Sequence, residues 1–403
     1  MKLYSFFFKA FIIFLPFIYV SCSDQSVTPE VPEFEFLVDY ELLDSIEANQ
    51  LKTFIGLFDP SIDTEVVRYD ASIYKVTYIT SYQGESTEAS GLVCVPINAN
   101  MVDFPFFLGM HASISSQAES PSNYTNPLGT GLEFFATLGY ISVIPDYLGF
   151  GNADEFFHPY LVKESVTRVS ADMLNASVEM LRDLNQSHQK EIFVAGYSQG
   201  AYNALAMHEA IENDGLLSEW SLGGTSAGGG TYDLTLLTDL TLGQDTYSSP
   251  QVLSYLIWSY HNYYQLDGGA DEYFQQPYAD LIPDLFDGTK TLGQIKSQLT
   301  EELNQLLQPS FIAAIQDGGM HPMRQILAQN SIIPWNTSTP INILHSPDDE
   351  VIRSENSSAF VSQMKAAGAT NIVYTPLQGS HGEAVFPMLI NTIFWLEGTR
   401  LGS

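Results

Sequence analysis

Gly196-Tyr197-Ser198-Gln199-Gly200 lies between a strand-like run, residues 191–195, and a helix-like run, residues 201–213. A Gly-x-Ser-x-Gly pentapeptide alone is weak evidence, because glycine and serine are common residues. Its position says more, since a sharp turn from a strand into a helix lifts the serine hydroxyl above the sheet edge and directs a helix N-terminus at developing negative charge. The stretch therefore predicts an α/β fold with Ser198 as a candidate nucleophile.

A second pentapeptide of the same form, Gly224-Thr225-Ser226-Ala227-Gly228, differs from the first in its context. It is followed by Gly229 and Gly230, and a run of glycines does not begin a stable helix. We expect Ser226 to be a structural residue at a strand end or in a loop.

Outward from the first pentapeptide, short apolar runs alternate with helical patterns. β-Branched and aromatic residues at 72–81 and 87–95, joined at Gln83-Gly84, predict an antiparallel hairpin. Apolar runs predict strands covered on both faces at residues 104–110 and 140–144. Further strands are predicted at residues 341–345 and 371–375. Helices are predicted at residues 40–58, 164–184 and 384–396. The alternation predicts a mostly parallel sheet flanked by helices and preceded by the hairpin.

Residues 231–335 carry helical patterns and clustered aromatic residues, without strand signals. Residues 289–307 predict one amphipathic helix, with an apolar stripe formed by Leu292, Ile295, Leu299, Leu303 and Leu306. We therefore predict a core at residues 37–230, an inserted helical cap at 231–336, and the rest of the core at 337–403.

The N-terminus has the pattern of a targeting signal. Lys2 and Lys9 precede an apolar run that ends at Tyr19-Val20-Ser21-Cys22 and is too short to span a bilayer comfortably. That ending resembles the lipobox of bacterial lipoproteins, which implies a signal peptide at residues 1–22 and lipidation of Cys22. Residues 23–36 would then form a tether between the lipid and the folded domain of an exported, membrane-attached protein. Ordinary secretory cleavage nearby is the alternative. Cys94 alone would remain in the mature chain and would form no internal disulfide.

The charge balance limits the kinds of partner that the chain is expected to bind. The chain has 47 acidic and 15 basic residues, a formal net charge of −32, which disfavours nucleic acid and anionic lipid surfaces. The negative net charge favours a neutral small-molecule substrate over a phosphorylated one. No histidine pair has metal-ligand spacing and no glycine loop is followed by Lys and Ser or Thr, so we expect neither a metal nor a cofactor. The sequence indicates no oligomeric state.

Hydrolysis of an ester or amide at neutral pH needs an activated hydroxyl, a base, an acid that orients the base, and donors for the oxyanion. The strand at 341–345 leads into Ser346-Pro347-Asp348-Asp349, at a strand end where functional groups gather. Asp349 is the predicted acid because it stands nearer the apolar pair that re-enters the core, with Asp348 as the alternative. His381, on a glycine-flanked loop, is the only one of eight histidines after Asp349 and is the predicted base.

The oxyanion hole is predicted from two backbone donors. The N–H of Gln199 follows the nucleophile at the start of its helix. The second donor is expected from the loop after the strand at 104–110, at Ala112 or Ser113. We expect the adjacent His111 to hydrogen-bond the backbone near the site rather than to transfer protons.

The chain resembles the α/β-hydrolase superfamily, and within it the secreted lipases and esterases of secretory-lipase type. The resemblance covers residue 40 to the C-terminus and rests on Pro145-Asp-Tyr-Leu-Gly-Phe-Gly151, His158-Pro-Tyr160, Tyr74 to Tyr78, Ala89 to Leu92, Gly196 to Gly200, and the Asp349 and His381 loops. It implies an α/β-hydrolase fold with Ser198, Asp349 and His381 as the triad and residues 231–336 as a cap over the acyl site. The chain has His111-Ala112 where the family usually has His-Gly, which keeps the N–H donor but narrows the loop.

These observations predict a serine carboxylic-ester hydrolase that acts on a neutral ester. Two alternatives stay open: a serine peptidase on the same scaffold, and a non-catalytic surface lipoprotein that uses the fold as a binding module. An intact triad argues against the binding module, and the short segment before the first strands leaves no room for a propeller domain of the kind that restricts peptidases.

Overall fold

The computed structural model describes residues 34–58, 60, 62–97, 102–124, 129–319 and 321–401. The predicted signal peptide, Cys22 and the tether as far as residue 33 lie outside these residues. Within the described part of the chain, no helix is both long and apolar enough to cross a membrane.

Nine strands in the described residues form one sheet. They are β1 (Leu37–Ile46), β2 (Ala71–Tyr82), β3 (Glu85–Pro96), β4 (Phe104–Met110), β5 (Ile141–Pro145), β6 (His188–Tyr197), β7 (Ser221–Gly228), β8 (Ile341–His345) and β9 (Ile372–Pro376). Their order in the sheet is β1-β2-β3-β5-β4-β6-β7-β8-β9. The first four in this order pair antiparallel, and β5 through β9 pair parallel. The predicted mostly parallel sheet, preceded by an antiparallel hairpin, is confirmed.

The helices cover both faces of this sheet. They are α1 (Ala48–Phe58), α2 (Lys163–Asp183), α3 (Gln199–Asn213), α4 (Leu234–Leu242), α5 (Pro250–Tyr263), α6 (Tyr278–Leu285), α7 (Leu292–Lys296), α8 (Leu303–Leu306), α9 (Pro309–Gln316), α10 (Pro322–Asn330), α11 (Glu355–Ala366) and α12 (Val385–Leu401). Successive strand residues point to opposite faces: Leu108 and Val194 pack with α2 and α3, whereas Phe107 and Phe193 pack with residues of α1 and α12. This two-sided burial explains the continuous apolar runs of β4 and β6.

The hairpin turn agrees with its sequence. Gln83 and Gly84 have φ values of 50° and 87°. Two successive positive φ angles define the tight turn whose twist matches that of the flanking strands. The register runs without a break from Ala71 opposite Pro96 to Tyr82 opposite Glu85.

The predicted helix at residues 40–58 is wrong in its first half. Residues 37–46 form β1, and only Ala48–Phe58 is helical. Two register shifts against β2 interrupt β1, between Leu37 and Asp39 and between Leu42 and Asp44. Each bulge adds a residue to the strand, so the less exposed positions recur every third residue, at 37, 40, 43 and 46. That spacing imitates a helical period.

The predicted helix at residues 289–307 is also wrong, because it is two short helices, α7 and α8. The backbone between them pairs with another segment: Tyr247 N–H donates to Glu301 O, and Leu303 N–H donates to Asp245 O. The apolar stripe is nevertheless buried at Ile295 and Leu303. Elsewhere between β7 and β8 the described residues form helices α4 to α10 and no strand. The division of the chain into core and cap domains stays a prediction.

Candidate active site

Ser198 occupies the turn between β6 and α3, with φ 57° and ψ −118°. A positive φ is strained for a residue with a side chain, and it exposes a nucleophile at a strand-to-helix turn. A Cβ on Gly196 would lie 2.3 Å from the carbonyl oxygen of Gly200, and a Cβ on Gly200 would lie 2.1 Å from that of Met110. Close backbone approach therefore requires both glycines of the pentapeptide, and the predicted sharp turn is confirmed.

Ser226, in the second pentapeptide, lies within β7 and is fully buried. Its hydroxyl is 2.7 Å from the hydroxyl of Thr392 in α12. The expectation that Ser226 is a structural residue near a strand end is confirmed.

The structure brings Ser198, His381 and Asp349 together from three separate loops. His381 Nε2 is 3.0 Å from Ser198 Oγ, and His381 Nδ1 is 2.6 Å from Asp349 Oδ2. These contacts fit the tautomer in which Nδ1–H donates to the carboxylate and Nε2 accepts from the serine hydroxyl. This is the arrangement that a general base needs in order to take the hydroxyl proton.

Asp349, rather than Asp348, contacts the candidate base His381. Its Oδ1 accepts from the N–H groups of Val351 and Ile352, at 2.9 and 2.8 Å. Burial alone would raise the pKa of Asp349, but hydrogen bonds from His345 and His381 outweigh it and hold the pKa well below its usual value. Asp349 is thus a buried, ionised acceptor, whereas Asp348 is exposed.

His345 is a site residue that the sequence analysis missed. It is fully buried at the end of β8, and its Nδ1 is 2.6 Å from Ser357 Oγ. Its Nε2 lies 2.9 Å from Ile352 O and 3.3 Å from Asp349 Oδ2. His345 and His381 therefore both contact Oδ2 of Asp349. The available signal for His345 was its position directly before the Asp349 loop.

The loop that carries His381 is held by its backbone. The N–H of His381 donates to Glu350 Oε2 at 3.0 Å, and the Tyr197 hydroxyl donates to the carbonyl of His381 at 2.6 Å. The rings of Tyr197 and His381 are 5.1 Å apart. The residue before the candidate nucleophile therefore fixes the loop of the candidate base.

Gln199 is the first residue of α3, as predicted, and its backbone N–H is free of the helix ladder. Its side-chain Nε2 donates to His158 Nε2 at 2.8 Å, and His158 Nδ1–H donates to Leu148 O at 2.7 Å. Burial lowers the pKa of His158 to about 3, so its ring is neutral and Nε2 is an acceptor. The sequence analysis quoted His158 without assigning this role.

Ala112 and Ser113 lie in the loop after β4, beside the first turn of α3. The close approach of Gly200 to the carbonyls of Met110 and His111 places the two segments side by side. The hydroxyl of Ser113 is 2.8 Å from that of Tyr160. The two predicted sources of oxyanion donors are therefore adjacent, while the choice between Ala112 and Ser113 stays open.

His111 contacts the backbone, as expected. Its Nδ1 is 2.7 Å from Ala112 O, its Nε2 is 3.3 Å from Asp146 O, and its ring stacks on Tyr147 at 4.1 Å. Burial lowers the pKa of His111, which keeps the ring neutral. The prediction that His111 hydrogen-bonds the backbone is confirmed.

Two cavities adjoin this site. The small cavity, of about 20 Å³, is lined by Ser198, Gln199 and mostly apolar residues, among them Leu253 and Leu256. These two leucines belong to the inserted helices, as we call α4 to α10 between β7 and β8. The large cavity, of about 420 Å³, is lined by Tyr197, by the loop after β4 and by residues at the start of α12. Among the described residues, no group of three or more His, Cys, Asp or Glu side chains could hold a metal ion.

Solved structures share this architecture. A hydrolase candidate from Legionella pneumophila superposes with a TM-score of 0.81 at 24% sequence identity, over 91% of this chain and 98% of that one. A ligand-bound form of the rice cell wall degrading esterase LipA from Xanthomonas oryzae superposes with a TM-score of 0.78 at 23% identity, over 91% and 97%. Candida antarctica lipase A in its closed state superposes with a TM-score of 0.66 at 15% identity, over 91% and 82%.

The chain therefore has the α/β-hydrolase fold, and the predicted fold class is confirmed. No family model matches the chain, and no curated protein matches it.

Proposed function

We propose that the chain is a serine carboxylic-ester hydrolase that acts through an acyl-enzyme at Ser198 on a neutral, small-molecule ester. The observation that carries the proposal is the pair of hydrogen bonds that links Asp349 to His381 and His381 to Ser198, at 2.6 and 3.0 Å. A structural role does not require a strained turn, a base and a buried acid to meet at one serine hydroxyl.

The reaction follows from this geometry. His381 Nε2 takes the proton of Ser198 as the oxygen attacks the ester carbonyl, and Asp349 stabilises the imidazolium that forms. The N–H of Gln199 and that of Ala112 or Ser113 bind the negative oxygen of the tetrahedral intermediate. The imidazolium then protonates the departing alcohol. Water, activated by the same histidine, releases the acid.

The neighbours support the same class of reaction. One is described as a cell wall degrading esterase and another as a lipase, and both share the fold over about nine-tenths of this chain.

The test is the Ser198→Ala variant, measured on p-nitrophenyl butyrate and with a fluorophosphonate probe. We expect loss of both turnover and labelling, because the acyl-enzyme requires the hydroxyl. Ser226→Ala is the matched control, since it removes a buried serine from the other pentapeptide. Retained turnover in Ser198→Ala refutes the assignment. Wild-type protein that does not label supports the binding module, and faster cleavage of peptide amides than of esters supports the peptidase.

We also propose that residues 1–22 are a signal peptide and that Cys22 carries a lipid that attaches the exported protein to a membrane. The support is the N-terminal sequence pattern alone. Cys22→Ser is expected to abolish incorporation of a labelled fatty acid and to release the protein from the membrane fraction. Unchanged labelling in this variant refutes the lipid attachment.

A further inference from the structure

The ring of His345 is held in one orientation at the end of β8. It is fully buried, and its Nε2 lies 2.9 Å from Ile352 O and 3.3 Å from Asp349 Oδ2. A carbonyl oxygen can only accept a hydrogen bond, so Nε2 carries a proton. Its Nδ1 lies 2.6 Å from Ser357 Oγ in α11 and can accept the hydroxyl proton of that serine.

The Nε2–H of His345 contacts both halves of the acid's surroundings. It lies beside Asp349 Oδ2, and it binds the carbonyl of Ile352, whose N–H donates to Oδ1 at 2.8 Å. Val351 N–H also donates to Oδ1, and His381 Nδ1–H donates to Oδ2. A carboxylate has roughly four acceptor positions, and N–H groups lie against both of its oxygens here. The carboxylate is therefore held with Oδ2 towards the base.

The end of β8 also holds the loop of the candidate base. The carbonyl of His345 accepts from Leu377 N–H at 2.9 Å, at the start of the segment that leads to His381. The hydroxyl of the next residue, Ser346, donates to Gly379 O in the same segment at 2.5 Å. The end of β8 thus contacts the acid through the His345 ring and the base loop through its backbone and Ser346.

The contact between His345 and Asp349 also favours the ionised acid. Burial has the largest influence on the pKa of Asp349 and raises it, and the hydrogen bond from His345 is the largest of the influences that lower it. The ionised carboxylate is the form that stabilises the imidazolium of the base during the reaction.

A second buried histidine provides a comparison. His208 is likewise fully buried, with Nδ1 2.9 Å from Thr225 Oγ1 and Nε2 3.4 Å from Glu212 Oε1. The other oxygen of Glu212 accepts from Trp335 Nε1 at 2.7 Å. The series of hydroxyl, histidine and carboxylate leads to a tryptophan there, whereas at His345 it leads through the carboxylate to the candidate base.

We propose that His345 is a positioning residue of the hydrolase, which holds the carboxylate of Asp349 towards His381 through its Nε2–H. This inference rests on the proposed ester hydrolase activity and adds a residue that acts through the acid. Without this donor the carboxylate can turn, which weakens its hydrogen bond to the base. Substrate binding should not change, because His345 is buried and does not line the small cavity beside Ser198.

The test compares two amide side chains at position 345. Glutamine is one methylene longer than asparagine, so its amide nitrogen reaches the place of Nε2, whereas that of asparagine reaches only the place of Nδ1. In His345→Asn we expect kcat for p-nitrophenyl butyrate to fall by about 10- to 100-fold, the loss of a hydrogen bond to a charged group, with KM unchanged. His345→Gln should recover most of kcat. The rate of fluorophosphonate labelling should change in parallel with kcat.

His208→Asn is the matched control, since it makes the same change at a buried histidine with the same kinds of partner. It should lower the free energy of unfolding in urea and leave kcat of the folded protein unchanged. Ser357→Ala tests the same series of contacts without removing the ring. In that variant kcat should fall by about 2- to 10-fold, the loss of one neutral hydrogen bond.

The outcomes separate this inference from the proposed function. Wild-type protein that neither hydrolyses the ester nor labels overturns both. With an active wild type, an unchanged kcat in His345→Asn, or in Ser357→Ala where His345→Asn does not fold, overturns the role of His345 alone. The same holds for a His345→Gln variant as slow as His345→Asn. An equal loss of kcat in His208→Asn also overturns it, because the loss then follows from destabilisation.

Discussion

Replacing Asp349 with asparagine tests the link between the acid and the base. The retained oxygen would keep accepting from the N–H groups of Val351 and Ile352, because Oδ1 already holds both of them. The new amide N–H₂ would then replace Oδ2 and face the Nδ1–H of His381, placing a donor against a donor. His381 would therefore favour the other tautomer, with its proton on Nε2 and directed at Ser198. In that state it cannot take the serine proton.

The size of the effect follows from the contacts that are lost. A hydrogen bond to a charged group contributes about 1.5–3 kcal/mol, and a buried donor left without a partner costs about 1–3 kcal/mol. Together they amount to roughly 2.5–6 kcal/mol, and about 1.4 kcal/mol corresponds to a tenfold change in rate. We therefore expect kcat of Asp349→Asn to fall by about 10²- to 10⁴-fold, with little change in KM.

The assay is the initial rate of p-nitrophenyl butyrate hydrolysis at pH 7–8. Asp348→Asn is the matched control, because it makes the same change at the exposed neighbour. We expect it to stay within about threefold of wild type, as is usual for surface substitutions. An Asp349→Asn variant within tenfold of wild type, or an equal loss in Asp348→Asn, would refute the reasoning.

The same variant carries a pH signature in stability. Hydrogen bonds hold the pKa of Asp349 well below its unfolded value of about 3.9. The stability that its ionised form provides is therefore fully present above about pH 4 and is lost as pH falls through the folded pKa. The difference in free energy of unfolding between wild type and Asp349→Asn should be largest near neutral pH and shrink in acid. A difference that grows below pH 4 in urea unfolding would contradict this sign.

Two further predictions address packing and a second hydrogen-bonded carboxylate. Gly200→Ala places a Cβ 2.1 Å from the carbonyl oxygen of Met110. We therefore expect the protein to be destabilised by about 1–3 kcal/mol and kcat to fall at least tenfold, because α3 is displaced. Gly293→Ala is the neutral control, since the nearest atom to a Cβ there, in α7, is 3.9 Å away. Burial alone would raise the pKa of Glu212, but hydrogen bonds from its neighbours, including Trp335 Nε1, lower it to about 2. Glu212→Gln should therefore be less stable than wild type at pH 7 in urea unfolding, with the difference disappearing between about pH 4.3 and 2; a difference independent of pH would refute this.

Elements set by local chemistry were predictable from sequence. The Gln83-Gly84 turn supplies the two positive φ angles of a tight hairpin. The apolar run of β4 is continuous because Phe107 and Leu108 face two different cores. The elbow was predictable because its neighbours read as a strand on one side and a helix on the other.

Elements set by tertiary contacts were not predictable in this way. The bulges of β1 are visible only against its partner β2, and without that partner a three-residue spacing reads as a helix. The break between α7 and α8 exists because residues 301–303 pair with residues 245–247. Neither partner can be identified from periodicity.

The residues of the candidate site also divide into those that local sequence indicated and those that depend on tertiary contacts. Chain order and loop placement indicated Ser198 and His381, but left Asp348 and Asp349 as alternatives. The turn after Asp349 separates them, since its N–H groups reach only the second carboxylate. His345 was missed because its only signal, a position directly before the Asp349 loop, does not show that its side chain contacts Asp349.

The segment His158-Pro159-Tyr160 ties the inserted helices to the machinery of the site. His158 holds the side chain of Gln199, and the Tyr160 hydroxyl pairs with that of Ser113, so the segment contacts both predicted sources of oxyanion donors. Ser259 of α5 closes the connection, since its hydroxyl accepts from Tyr160 N–H and donates to His158 O. Helix α5 thus cannot lift from the sheet without breaking hydrogen bonds at the point that positions Gln199. The inserted helices therefore help to hold the geometry of the site as well as to line its small cavity.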